Sequence, residues 1–278
     1  MLTEILPAAI AAGLVAILVT VLIERYGGFV GGALGTVPTT IVPAVAGMAS
    51  AQRETELLDS LSVVPAGMLI NAVFLSVWIY LPPRLQGMPA RRSLAMTTVT
   101  ALVAWAIFGM MAIFCIEFAL DSGLGARDIA VIGVVLTAVF GIYLGWSPED
   151  SPSGTREVSK FVLLARGGMA ASAIGASVWV AGLGYPLIAG LASVFPAIFL
   201  TSMVALWISQ GPSVPRGAAA PMLLGGGSVG VYALVAMYSL DSNGMVIGSA
   251  IAWIIAVTGW SVPSYAFLRW RSKAGIST

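Results

Sequence analysis

"ERYGGFVGGALGTVPTTIVPAVAG" (Glu24–Gly47) is apolar enough to enter a membrane, yet it is full of residues that break helices. It holds Gly27, Gly28, Gly31, Gly32, Gly35 and Gly47, the prolines Pro38 and Pro43, and the threonines Thr36, Thr39 and Thr40. It follows directly on an apolar stretch, Ile5–Ile23. Whether it is a loop, an ordinary helix or a helix built to be broken decides the number of membrane crossings. It also decides whether polar backbone is exposed inside the bilayer.

The rest of the chain sets the solvent. Of 278 residues, 59% are hydrophobic and only 9% charged, against about 25% charged in a soluble domain. Mean hydropathy is +0.98. A soluble protein of this size must still cover itself with polar groups, so the chain reads as an all-α polytopic membrane protein. A net charge of +1 provides no basic face for nucleic acid. Histidine is absent and Cys115 is the sole cysteine. That excludes an internal disulfide, a Ser-His-Asp or Cys-His catalytic arrangement, and the usual zinc or copper ligand set. Ile5–Ile23 lacks a basic leader and a cleavage pattern, and reads as a retained helix.

A crossing needs roughly 20 mostly apolar residues. Nine stretches qualify: Ile5–Ile23, Phe29–Ala49, Leu61–Leu81, Leu94–Phe118, Ile129–Trp146, Phe161–Ala181, Leu187–Ser209, Ala220–Leu240 and Met245–Leu268. Nine crossings with the N-terminus outside and the C-terminus inside put eleven of the 13 basic residues on the inner side. These include Arg84, Arg91, Arg92, Lys160, Arg166 and the terminal "RWRSK". Arg53 and Arg127 are left outside, beside Glu54, Glu56, Asp59, Asp121, Asp128 and Asp241. The opening segment therefore counts as span two. The polar run 148–160 reads as a cytoplasmic linker. It separates residues 1–147, the first membrane unit with its joining fifth helix, from 161–270, the second unit, and 271–278 form a cytoplasmic tail.

Span two has a counterpart. At a constant offset of 158, "FVGGALGTVPTTIVPAVAGMA" lies over "LIAGLASVFPAIFLTSMVALW", so that Gly32 meets Gly190, Gly35 meets Ser193 and Pro38 meets Pro196. Pro65 lies over Pro221 in the next pair when "VPAGMLINAVFLSVWIYL" is set over "APMLLGGGSVGVYALVAM". Spans 1–4 thus resemble spans 6–9. Five spans separate equivalent elements, and an odd number inverts the second unit, as in many secondary transporters.

A mid-span proline removes a backbone hydrogen bond and displaces the carbonyl four residues earlier. In lipid that carbonyl must find a protein or cavity partner. Two such helices crossing would offer hydroxyls, carbonyls and helix ends at one place. The expected substrate-binding residues are Thr36, Pro38, Thr39, Thr40, Ser193, Pro196, Thr201 and Ser202, with Asn71 in span three and Ser228 and Tyr232 in span eight. Freed carbonyls near Gly35, Thr39, Ser193 and Ala197 make Na⁺ the candidate coupling ion. Close helix packing through small residues is the competing account of the same glycines and threonines, and Asn71 serves equally as interhelical glue. No carboxylate falls clearly at the midplane, and the expected site has no buried charge.

These features point to a small secondary transporter or facilitator. It would move a small anion or polar solute by alternating access, without being an enzyme and without a cofactor beyond Na⁺. An ion or solute channel is the alternative reading, and a lipid-modifying membrane enzyme a weaker one. The expected setting is a multi-pass protein of a bacterial inner (plasma) membrane. Its partners would be the lipid bilayer and its substrate, with room for a homo-oligomer.

Overall fold

The computed structural model of the chain describes residues 2–26, 37–146 and 159–275. Every regular element among them is helical. In order they are α1 (Leu2–Tyr26), α2 (Ile41–Ala51), α3 (Glu54–Tyr80), a short 3₁₀ turn (Pro82–Leu85), α4 (Ala90–Asp121), α5 (Ala126–Gly145) and α6 (Lys160–Gly182). Then follow α7 (Pro186–Ser193), α8 (Ala197–Gln210), α9 (Ser213–Gly226), α10 (Ser228–Ala256), a π-helical turn (Val257–Ser261) and α11 (Val262–Gly275). Seven helical stretches among the described residues are long and apolar enough to cross a membrane, which makes this an all-α, multi-pass membrane protein.

The apolar surface is turned outward as a bilayer requires. On α4, Met110 is 74% exposed, Phe114 71% and Phe118 68%. Such a face is costly in water and ordinary against lipid tails. α3 is the opposite case. Leu57, Leu61, Val64, Met68, Phe74, Leu75 and Trp78 are buried around its whole circumference, which marks a central helix. α4, α5, α7, α9 and α10 all pack against it. Its start is closed by Glu56, whose carboxylate accepts from the Arg53 amide at 3.0 Å.

The last hydrophobic run, Ser213–Arg271, is 59 residues long. As a straight helix it would measure about 90 Å, roughly three times the hydrocarbon core. It is not straight. Gly244 has φ 72° and ψ 175°, a conformation that only glycine adopts without strain. Ser239 Oγ donates to the Gly248 carbonyl at 2.8 Å, although nine residues along one helix would hold these groups about 13 Å apart. The chain therefore doubles back at Gly244, and the two arms of α10 lie side by side.

Span two of the sequence reading, Phe29–Ala49, is described only from Val37 onward. Thr36, Gly35 and the earlier glycines lie outside the described residues. So does nearly all of the 148–160 linker. From Val37 the chain is non-helical until α2 begins, three residues after Pro38. The second interruption separates α7 from α8 at Val194–Pro196.

α7 is fixed by direct contact of backbones. A Cβ on Gly190 would collide with the carbonyl and Cα of Ser60 in α3. Two hydroxyls reinforce the fit. Ser60 donates to the Pro186 carbonyl at 2.9 Å, and Ser177 of α6 donates to the Ala189 carbonyl at 2.8 Å.

Gly190→Ala is therefore expected to destabilise the protein by about 1–3 kcal/mol through overpacking against rigid backbone. A methyl at Gly168 in α6 meets nothing within 4 Å, so Gly168→Ala is expected to be neutral or to stabilise by up to about 1 kcal/mol. Thermal unfolding of the two purified variants in detergent checks both.

Candidate functional site

The interruption between α7 and α8 follows from Pro196. With no N–H, it cannot bond to the Ala192 carbonyl four residues earlier. The Phe195 amide does so instead, at 3.1 Å, in a tight turn. The next exposed acceptor, the Val194 carbonyl, receives the Asn71 Nδ2 amide at 3.0 Å. Asn71 is itself held, because Trp105 of α4 donates its indole N–H to Asn71 Oδ1 at 2.8 Å. The Trp105 ring also meets Phe195 edge-on, with centroids 5.3 Å apart. A chain of contacts from α4 through α3 thus closes the C-terminal end of α7.

The helix starts on the other side of the two interruptions are treated differently. α2 begins after Thr40 and α8 after Pro196, and neither has a side-chain cap. Side-chain caps are also absent at the starts of α4, α5, α7, α9 and α10, and the first amide of α8, that of Ala197, donates to the Phe195 carbonyl at 2.7 Å. The first-turn amides of a helix have no carbonyl partner inside it, and the helix dipole concentrates positive potential there. Both starts face one cavity of about 140 Å³, several times the roughly 30 Å³ that a water molecule occupies in the liquid.

Pro38, Thr39, Thr40, Ser193, Pro196, Ala197, Asn71 and Ser228 all line this cavity. It thus brings together residues from both interrupted segments, from α3 and from the start of α10. The side chains do not all point to it as donors or acceptors for a ligand. Ser193 Oγ donates to the Gly190 carbonyl of its own helix at 2.7 Å, and Asn71 is engaged at both ends of its amide. Thr201 lies outside the cavity wall and bonds to the Ala197 carbonyl at 2.8 Å. Tyr232 also lies outside it, fully buried in the central cluster with Val64 and Met68. Ser228 and Tyr232 share a helix face, but one turn separates cavity wall from core. Thr39, Ser193 and Ala197, three of the four positions expected near Na⁺, line the same cavity, while Gly35 is among the residues not described.

One residue stands differently from its sequence reading. Arg166 counts there among the inner-side charges that set topology, and the site is expected to lack a buried charge. In the structure its exposure is 9%, and it lines the cavity from α6. Its guanidinium donates to Thr20 Oγ1 of α1 at 2.8 Å and to Ser202 Oγ of α8 at 2.8 Å. Thr20 in turn donates to the Ala16 carbonyl at 2.7 Å. Ser202 therefore acts on the cavity through Arg166. The signal was present in "KFVLLARGGMA": an arginine a turn and a half inside an apolar helix is a functional candidate in its own right. Thr20 carried no such signal, since a lone threonine in an apolar span most often bonds to its own backbone.

The wall is otherwise apolar, with Met68, Ile174, Phe195 and Phe199 among its larger side chains. The site can thus attract and orient a small anion, through a guanidinium and two helix starts. The described lining residues include no carboxylate, cysteine or histidine to act as nucleophile or general acid–base group. Comparison with protein-family models, with curated proteins and with solved structures gives no match to this chain. The site is read from its own chemistry.

Asn71→Leu is expected to leave the Val194 carbonyl and the Trp105 indole buried without partners, at roughly 2–5 kcal/mol. Trp105→Phe removes the donor to Asn71 Oδ1 and part of the packed indole but keeps the bond to the Val194 carbonyl, and is expected to cost less, about 1–3 kcal/mol. Chemical or thermal unfolding in detergent separates the two.

Proposed function

We propose that this chain is a small secondary transporter or facilitator that carries a small anion across a membrane by alternating access. The observation that carries the reading is the convergence on one cavity of two uncapped half-helix starts and the Arg166 guanidinium. Helix starts at a cavity favour negative charge, and a buried guanidinium donor beside them supports the same preference.

The crossing pattern belongs to the same proposal. The chain crosses nine times, with the N-terminus outside. α2 ends the second crossing, α7 and α8 together make the seventh, and the two arms of α10 belong to the eighth and ninth. Interruptions at Pro38 and Pro196, 158 residues apart, support an inverted repeat of the first and last four crossings, with α5 between them. In that arrangement α2 and α8 leave the site toward opposite surfaces, so their positive ends face each other across it. Rocking one repeat against the other would expose the anion to each side in turn.

Sodium fits as a second ligand. Thr39 and Ser193 line the same cavity, and hydroxyl oxygens are suitable ligands for a hard cation. A bound anion would add a favourable charge for a cation in the same cavity. Na⁺ would therefore bind after the anion and strengthen its hold, which is how a symporter couples the two.

Purified protein in proteoliposomes tests the reading. Anion uptake is expected to saturate and to accelerate when the same anion is loaded inside. Arg166→Gln is expected to lower uptake about 10–100-fold, the value of a lost charge-assisted contact. Flux that rises linearly with concentration and is unaffected by internal anion would point to a channel and overturn the transporter.

A further inference from the structure

We propose that the end of α5 and the last helix form a binding site for the head group of an anionic phospholipid, independent of what the cavity carries. The site lies around Arg271 of α11. Its guanidinium stands 4.7 Å from the centroid of the Trp146 ring and 5.5 Å from that of Trp270. Its Nε donates to the Trp146 carbonyl at 2.7 Å. Phe267 meets both indoles, with centroids 6.3 Å from Trp146 and 6.2 Å from Trp270. Two rings and a carbonyl thus hold the guanidinium, and among the described residues nothing accepts from its two Nη groups. A guanidinium fixed in this way presents a planar fork to two oxygens of a phosphate.

The depth of this cluster in the bilayer follows from α5. Ala126–Gly145 are 20 residues, about 30 Å of helix, which matches the hydrocarbon core. Each end of α5 carries an arginine on an aromatic ring. At its start, Arg127 lies 4.6 Å from the Tyr238 centroid and donates to the Met237 carbonyl at 3.0 Å. At its end stand Trp146 and Arg271. Such rings settle at the level of the lipid head groups, and so place Arg271 beside the phosphates of one leaflet. The two ends differ in what they offer. Arg127 is engaged by the α10 backbone and its Nε is buried, whereas Trp146 and Trp270 around Arg271 are 51% and 56% exposed.

The surface beneath completes the ligand. Val135, Val139, Ile142 and Trp146 are all exposed, and their spacing of three and four residues sets them on one face of α5. From Val135 to Trp146 this stripe runs about 16 Å, close to half the hydrocarbon core. A phospholipid seated with its phosphate on Arg271 lays an acyl chain along the stripe, from which a free phosphate gains nothing. Charge then selects among lipids. In a choline head group the phosphate is balanced by a second cation, which would repel the guanidinium and compete with it for the same ring faces. The head group of phosphatidylglycerol carries the phosphate charge alone.

The test is native mass spectrometry of the full chain in detergent, titrated with phosphatidylglycerol and with phosphatidylcholine of the same acyl chains. The first phosphatidylglycerol is expected to bind about five-fold or more tighter, the effect of one arginine at an anionic head group. Arg271→Gln is expected to bring the two lipids to parity. Trp146→Leu keeps the backbone carbonyl but removes the ring, and should lower the preference about two-fold or more. Arg92, an exposed arginine in the first turn of α4, is the control, and Arg92→Gln should leave the preference unchanged. Equal affinity of the unaltered chain for the two lipids overturns the site. So does a loss in Arg92→Gln as large as that in Arg271→Gln, which would mean diffuse attraction by surface charge. Displacement of bound phosphatidylglycerol by excess glycerol phosphate would show a site for soluble anions and overturn the lipid. Should Arg271→Gln prove unfolded, Trp146→Leu supplies the same comparison.

Discussion

A carbonyl or amide released from a helix inside a bilayer has no water to turn to. That constraint organises the interior of this protein. The chain is non-helical around Pro38 up to the start of α2 and is broken between α7 and α8 at Pro196, and each helix end there must be closed by protein or left to a ligand. The carbonyl end of α7 is closed. Asn71 takes the Val194 carbonyl, Trp105 holds Asn71, and Phe195 packs on Trp105. The amide ends at α2 and α8 have no side-chain cap and face the cavity. In the proposed carrier, closure of one polarity and exposure of the other would favour negative charge at the site.

The surroundings divide into a part that holds still and a part that meets solute. α3 is buried on all sides, and α7 lies on it through Gly190 and Ser60 with no room for a side chain between. Ser177 ties α7 to α6. Arg166, also on α6, reaches across to α1 and α8. The guanidinium is thus positioned by hydroxyls from two other helices rather than by its own. Its direction is fixed before any ligand arrives, which lowers the ordering cost of binding.

Much of this was legible in the sequence, and for physical reasons. Low charge and long apolar runs specify a membrane helix bundle. Mid-span Pro196 specifies the break between α7 and α8, because proline's lost hydrogen bond is local, and Pro38 falls in the non-helical stretch before α2. The separation of Ala220–Leu240 from Met245–Leu268 anticipates two arms, and the structure puts the turn between them at Gly244. What stayed hidden depends on long-range packing. Arg166 sits near one end of its helix, where a charge is ordinarily explained by topology. The approach of Thr20, 146 residues earlier, and Ser202, 36 later, brings it hydroxyl partners from other helices. Thr201 and Ser202 are neighbours of similar chemistry, yet one bonds to its own helix and the other to Arg166. Sequence spacing carries no information that separates them. Asn71 likewise could be ligand or glue until its two partners were seen.

The central claim is that Arg166 and the starts of α2 and α8 form one anion site. Anomalous diffraction from crystals grown or soaked with a bromide salt tests it most directly, since bromide reports any monovalent anion site whatever the natural substrate's body. The account predicts a bromide peak inside the cavity, within contact distance of the Arg166 guanidinium and of the first-turn amides of α8. Bromide peaks confined to the outer surface, with α7 and α8 forming one unbroken helix through Pro196, would contradict it.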